Sequence, residues 1–262
     1  MSSTDAMAAV THLRRPGTQQ GQHDTLLLLG VGLDLIGQAL AQDSYGLTFT
    51  WPSRAQLIKK YNMVTGLRAS KGLFEDRWAT MGDYYADLFA WALHPAQWVR
   101  HQQVAEKATA NLRTAPSFSA TARHAALLDI QALTQATSFR IKLVLCATHP
   151  IAPAHRAALR PFYQAARDWW SVVYEAVLNG SRRALRPDVP MAEFVAMMTA
   201  IEEGLVLHYL SSPQSFDRSM ERLAEILATG AMALILGASA PEGDAEPLST
   251  LCDRLLSYPS QP

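Results

Sequence analysis

An all-α fold follows from three features of the 262-residue chain. Apolar residues recur at spacings of three and four along most of its length, which is the period of one helical face. Pro52, Pro95, Pro116, Pro150, Pro153, Pro187, Pro190 and Pro213 fall between these periodic stretches, where a missing N–H does least harm. Sustained alternation of apolar and polar residues is lacking, and Val-Ile-Thr-rich runs are few. Ala and Leu dominate the composition, and both lose little side-chain entropy on entering a helix.

The elements follow in order. Residues 1–23, rich in Ser, Thr, Gln and Gly, are expected to form a disordered tail; the alternative is a basic arm carrying Arg14 and Arg15. Asp24 is a plausible N-cap for a first helix over 24–42. Within it, Gly30-Val-Gly32 lacks the preceding strand and the third glycine of a nucleotide loop, so it predicts helix packing or a local kink. A short extended piece is expected over 45–51. Ser53 then caps a helix over 53–61, and further helices are expected over 66–78, 82–93, 96–113, 117–148, 153–179, 190–210 and 215–237, the last opened by Ser215. Residues 241–262 are proline-bearing and expected to be irregular. This order divides the chain into a tail (1–23), a helical head with a connecting helix (24–93), a helical body (94–240) and a second tail (241–262).

Composition excludes several classes. With 49% hydrophobic residues the chain can bury a sizeable core. Its 23 basic residues balance 23 acidic ones, so any nucleic-acid surface must be local. Cys146 and Cys252 form no CxxC pair, which argues against a disulfide framework or a cysteine-rich zinc site. The apolar run Leu26–Leu33 is far short of the ~20 residues that cross a bilayer. The N-terminal residues lack the apolar core of a signal peptide, and a cytoplasmic location is expected. Neither HExxH, GxSxG, a P-loop nor GxGxxG after a strand occurs. The eight histidines show no metal-ligand spacing. No enzyme activity, metal or cofactor is therefore expected. Glu202 and Glu203 point about 100° apart on a helix, which makes solvated or interface-rim charges the better account of them.

The clearest pattern lies near the C-terminus. Phe194, Met198, Ile201, Leu205 and Tyr209 mark a stripe on one helix, and Leu223, Leu227, Ala231 and Leu234 mark one on the next. The short link Ser211–Ser215 makes these helices antiparallel neighbours. A stripe wider than one neighbour can cover predicts a two-fold four-helix interface between two copies of the chain; an ordinary monomeric core is the alternative.

Aromatic residues crowd the preceding helices. Phe162, Trp169, Trp170 and Tyr174 share one, while Phe118 and Phe139 lie on the long one before it, with Gln131 and Gln135 interrupting its apolar face. Aromatics with a few polar groups are the usual lining of a small-molecule pocket. The alternative is plain core.

Charge is uneven in one place. Between Trp51 and Arg77 lie Arg54, Lys59, Lys60, Arg68, Lys71 and Arg77 against only Glu75 and Asp76. Two short helices joined near Asn62–Gly66 make a helix-turn-helix, the unit that sets a recognition helix in a major groove. Arg54, Lys59 and Lys60 would meet phosphates, while Thr65, Arg68, Ser70 and Lys71 could reach base edges. A positive surface loop is the alternative.

Several details now combine. Asn179-Gly180 ends a helix and is followed by Leu185-Arg-Pro-Asp-Val189; then come Glu203-Gly204-Leu205 within a helix, Pro213, and an amphipathic last helix closing on Gly237. In the head, Leu26–Leu40, Ser53–Tyr61 and Thr65–Trp78 can take the parts of three helices, with Phe74-Glu-Asp-Arg-Trp78 as the aromatic end of the third. Over roughly residues 24–237 the chain resembles the tetracycline-repressor (TetR) family. The head departs from the family pattern where Leu57-Ile-Lys-Lys-Tyr61 replaces the usual Ile-Ala-Xaa-Xaa-Ala core. The resemblance implies a homodimer through the last two long helices, a small-molecule effector in the C-terminal bundle, and effector-controlled binding of a double-stranded DNA operator, usually as a repressor. An effector would favour or disfavour a head spacing of about one DNA turn, ~34 Å. The alternative function is a dimeric helical module that binds a small molecule or protein without DNA.

Overall fold

The computed structural model describes residues 7–14, 18–41, 51–112, 117–147 and 153–256. The extended piece expected over 45–51 lies outside these residues except for Trp51. The chain divides into two compact units: Met1–Val99 with Ala136–Tyr163, and Arg100–Gln135 with Gln164–Pro262.

Among the described residues the elements of the first unit are all helical. Helix α1 spans Gln19–Ala41, α2 Arg54–Thr65, α3 Lys71–Glu75 and α4 Met81–Ala92; a 3-10 turn follows at Pro95–Gln97. Helix α7 (Thr137–Ala147) and the start of α8 (Pro153–Gly180) belong to the same unit. Its core is aromatic. Phe74, Trp78 and Tyr84 are fully buried and meet with ring centroids 5.0–5.3 Å apart. Such contacts add to the area these rings bury. The Tyr84 hydroxyl donates to the Leu28 carbonyl at 3.0 Å, which satisfies it inside that core. This hydroxyl lies against Gly32, where a Cβ would overlap it. Gly32 therefore serves the helix packing that its sequence context predicted.

The N-terminal segment is not loose where it is described. Asp87, fully buried on α4, accepts from the Trp78 indole N–H at 2.9 Å, from Thr11 N at 2.9 Å and from His12 N at 3.1 Å. Its Oδ1 also lies 2.8 Å from His12 Nδ1. One carboxylate thus ties residues 11–12 to the core, and helix α1 begins five residues before the predicted Asp24 cap. Asp24 instead works inside α1, accepting from Tyr61 Oη at 3.0 Å and pairing with Arg77 at 3.0 Å.

The second unit holds α5 (Val99–Leu112) from Arg100 on, α6 (Phe118–Gln135), the rest of α8, α9 (Met191–Ser211), α10 (Met220–Ala238) and α11 (Leu248–Leu255). Helix α10 packs along α6, and α9 packs on both. The predicted helix over 117–148 is two helices, broken at Ala136. No Pro or Gly marks the break, so local signals could not show it. Ser219, not Ser215, caps α10, accepting from Arg222 N at 3.1 Å, because Pro213–Phe216 forms a 3-10 turn first.

The Leu185–Val189 segment organises the C-terminus. Short strands β1 (Arg183–Leu185) and β2 (Ser239–Pro241) pair antiparallel. The buried Arg186 donates to the carbonyls of Gly237 at 3.1 Å and Glu246 at 2.7 Å. The Asp188 carboxylate accepts from Leu248 N at 2.7 Å and Ser249 N at 3.0 Å, which satisfies the open N–H groups at the start of α11. Residues expected to be an irregular tail thus include the last residue of a strand and a capped helix.

Candidate nucleic-acid interface and ligand cavity

The helix-turn-helix is built by local chemistry. Ser53 and Gln56 form a reciprocal capping box at the start of α2. Gly66 ends α2 in the left-handed region (φ 70), where other residues are strained. Asn62 then clamps the turn: its amide donates to the Ala69 carbonyl at 3.1 Å, and its oxygen accepts from Ala69 N at 2.8 Å. That clamp holds Gly66–Ser70 as a turn and confines the third helix to Lys71–Glu75, against the predicted 66–78. Phe74 and Trp78 face the core.

The basic residues have different fates. Arg54 pairs with Glu75 at 2.7 Å and lies 5.0 Å from the centroid of the Phe74 ring. Lys60 pairs with Asp34 on α1 at 2.9 Å. Lys71, 72% exposed, meets Glu75 at 3.1 Å one helical turn away. Lys71 and Arg54 hold the Glu75 carboxyl below the usual carboxylate range, hydrogen bonding by Lys71 contributing most. Such exposed pairs are weak and exchange readily for another anion. Lys59, Arg68 and Ser70 are exposed. Thr65 is occupied within the turn, donating to the Tyr61 carbonyl at 2.9 Å and accepting from Leu67 N at 3.2 Å. Arg54, Lys59 and Lys71 share one surface depression with Ile58, Asn62 and Met81. Arg68 stands at the turn beside exposed Met63, Val64 and Leu67.

The second unit encloses a cavity of about 90 Å³ between α5, α6, α8, α9 and α10. Its walls are mostly apolar: Ala108, Leu112, Ala126, Val173, Met198 and Leu227 among others. Phe118, partly exposed, stands at one edge. Trp170 and Tyr174 stack at 5.8 Å along one wall. Asp129 and Glu202 enter from α6 and α9. Asp129 is buried and its Oδ1 lies 2.7 Å from Nδ1 of the buried His101. Glu202 Oε1 is buried and accepts no hydrogen bond among the described residues. Burial pushes the Asp129 carboxyl up to about 6. The Glu202 carboxyl is held well above the ordinary carboxylate range, by burial first and by the charge of Asp129 second. Two touching carboxyls in an apolar site favour the state in which one keeps its proton.

Of the aromatics and amides singled out in the sequence, Phe118, Trp170 and Tyr174 line this cavity. Trp169 packs nearby against the cluster of Ala105, Ala108 and Val173. Phe139 and Phe162 belong to the other unit, where they flank the buried Lys142 ammonium at 4.4 and 5.1 Å. Gln131 and Gln135 line a separate surface groove with Arg100 and Lys107. Asp129 and Glu202 went unrecognised because no sequence spacing links residues on two distant helices. Glu202 is a cavity wall, not a solvated or rim charge. His124 and His208 are exposed.

The C-terminal stripes are largely turned inward. Phe194, Met198, Leu223 and Leu227 are buried within the chain itself, against α6, α8 and their own partner helix, and so offer nothing to a second copy. Ile201, Leu205, Tyr209, Ala231 and Leu234 are half-buried. The outward faces carry Ala196, Met197, Ala200, Gly204 and Leu207 on α9, and Thr229, Ala233, Leu236 and Gly237 on α10. The period is the one predicted; the face is shifted.

Among the described residues no helix is long and apolar enough to cross a membrane. No protein-family model matches the chain, and no curated protein does. Among solved structures it is similar to a protein from Syntrophomonas wolfei str. Goettingen, provisionally assigned to the TetR family of transcriptional regulators. The identity is 12% and the TM-score 0.50, over 82% of this chain and 96% of that one. At that identity the likeness concerns the fold alone: the chain shares the all-α architecture of that protein.

Proposed function

We propose that the chain is a DNA-binding transcription regulator, acting in the cytoplasm as a homodimer and repressing until a small molecule enters the cavity of its second unit. The observation that carries this reading is the clamped turn between α2 and α3, with Lys59, Arg68, Ser70 and Lys71 exposed around it. Those residues carry the local positive charge that a neutral chain needs for contact with phosphates. The outward faces of α9 and α10 support the dimer, since small residues there let helix axes approach and Met197, Leu207 and Leu236 supply apolar area.

The test is binding of random-sequence and selected duplexes, followed by anisotropy across a salt series. Affinity should fall steeply with salt, and replacing Arg68 and Lys71 together by Ala should reduce the logarithmic salt slope by about 2. Selection that enriches no duplex, with no affinity even at low salt, rejects the reading. A DNA-free ligand-binding dimer is the second reading. It is favoured by the internal pairing of Arg54 and Lys60, which occupies two of the head's cations.

A further inference from the structure

We propose that the cavity binds a small, hydrophobic amine in its protonated form, the ammonium seated between Asp129 and Glu202 and the alkyl group against Trp170, Tyr174 and the aliphatic wall. The proposal rests on the reading of the second unit as an effector-binding unit and names the chemistry of what it accepts.

Three features of the site point the same way. The cavity walls are mostly apolar, and Asp129 and Glu202 meet on them with Tyr174 close by. A ligand must therefore carry one polar group on an otherwise greasy body. There Asp129 and Glu202 hydrogen-bond one another, and Glu202 Oε1 is buried with no further donor among the described residues, so a nitrogen carrying several N–H groups can take the place of the shared proton. Once the shared proton leaves, two carboxylates face one imidazole: His101 stands on Asp129, and no lysine or arginine lines the cavity. An anionic ligand would meet like charge in a low-dielectric site, and a neutral alcohol would supply a single donor. An ammonium answers both the charge and the missing donor, and the stacked faces of Trp170 and Tyr174 favour a cation beside them.

Size narrows the class. A cavity of about 90 Å³ is smaller than the roughly 150 Å³ site that accepts benzene. With the exposed Phe118 at its edge, it admits a short branched alkyl chain ending in nitrogen and excludes a polycyclic drug.

Binding is linked to protons. The groups facing the ammonium are His101 on α5, Asp129 on α6, Tyr174 on α8, and Glu202 with its neighbour Glu203 on α9; the lining residues of α10 carry no titratable group. Glu202 holds its proton when the cavity has no cation. The bound amine brings a proton of its own, so the carboxyl proton leaves to the buffer.

Calorimetry on the full chain without DNA tests this, using 3-methylbutylamine, 3-methylbutan-1-ol and 3-methylbutanoate as cation, neutral and anion of one shape. At pH 7 the amine should bind at least tenfold tighter than the alcohol, the acid should bind weakest, and amine binding should release a proton, seen as a heat that depends on the buffer. Glu202→Gln should bring amine and alcohol to similar affinity and abolish proton release, with alcohol binding retained as proof of an intact cavity. Asp129→Asn is the second variant should E202Q fail to fold, and should weaken the amine in the same direction. Equal or tighter binding of the alcohol or the acid, an amine preference that survives E202Q, or no binding of any of the three overturns the proposal. Because DNA is absent from the assay, such a failure leaves the DNA-binding reading standing; a chain that binds the amine but selects no duplex fails only the latter.

Discussion

Replacing Asp129 by Asn should stabilise the protein at pH 7.5 relative to its effect at pH 4. The carboxyl is buried on α6, and burial pushes it from the ordinary 3.8 up to about 6. A carboxyl whose pKa is raised on folding favours the folded state fully below about pH 4, where both states hold the proton. That advantage is lost as pH rises through about 6, because the folded chain must then either keep a proton the unfolded chain has released or bury a charge. The rise corresponds to about 3 kcal/mol. Asn keeps the shape and an acceptor for His101 Nδ1, yet has no charge to bury. Urea melts of wild type and variant at both pH values give the difference of differences: about 2 kcal/mol in favour of Asn on going from pH 4 to pH 7.5, since the unfolded carboxyl is already partly ionised at pH 4. By thermal melting the same change amounts to about 4–8 °C. A variant destabilised more at pH 7.5 than at pH 4 would refute the reasoning. It would mean that the 2.7 Å pair with His101 outweighs the cost of burying the charge.

Three further outcomes are expected. Asp87→Ala leaves the Trp78 indole N–H and the N–H groups of Thr11 and His12 without their acceptor. It should cost about 2–3 kcal/mol and speed proteolysis near Arg14; unchanged cleavage would show that residues 11–12 are held by something else. Gly32→Val would drive side-chain atoms into the Tyr84 hydroxyl, which is fixed by the Leu28 carbonyl. Denaturation should reveal a loss of about 1–3 kcal/mol, whereas a neutral result would mean α1 and α4 are free to separate. Asp188→Ala uncaps α11 and should lower stability by about 1 kcal/mol. Faster hydrogen exchange should be confined to residues 239–256, and a global change in exchange would contradict a local cap.

Much of the fold was legible in the sequence where the cause is local. Ser53 with Gln56, Gly66, and the proline-marked breaks act on neighbouring backbone groups, so they can be read one window at a time. Helices α2, α4, α5, α9 and α10 fall within a few residues of expectation for that reason. The break at Ala136 and the short α3 were not legible. The first has no breaker residue, and the second depends on the side chain of Asn62 reaching Ala69 across the turn.

What the sequence determined by itself is periodicity: it showed that α9 and α10 each carry an apolar stripe, that the head carries a local excess of positive charge, and that aromatics crowd α8. Only the tertiary structure decided what covers each stripe and what each charge meets. Phe194, Met198, Leu223 and Leu227 face the chain's own helices. Arg54 and Lys60 meet Glu75 and Asp34, and Asp129 and Glu202 converge on one cavity from α6 and α9. The physical reason is that a helical period fixes directions around one axis only. The identity of the neighbour in each direction depends on the packing of helices far apart in the chain, and so do the desolvation and pairing that give these carboxyls their chemistry.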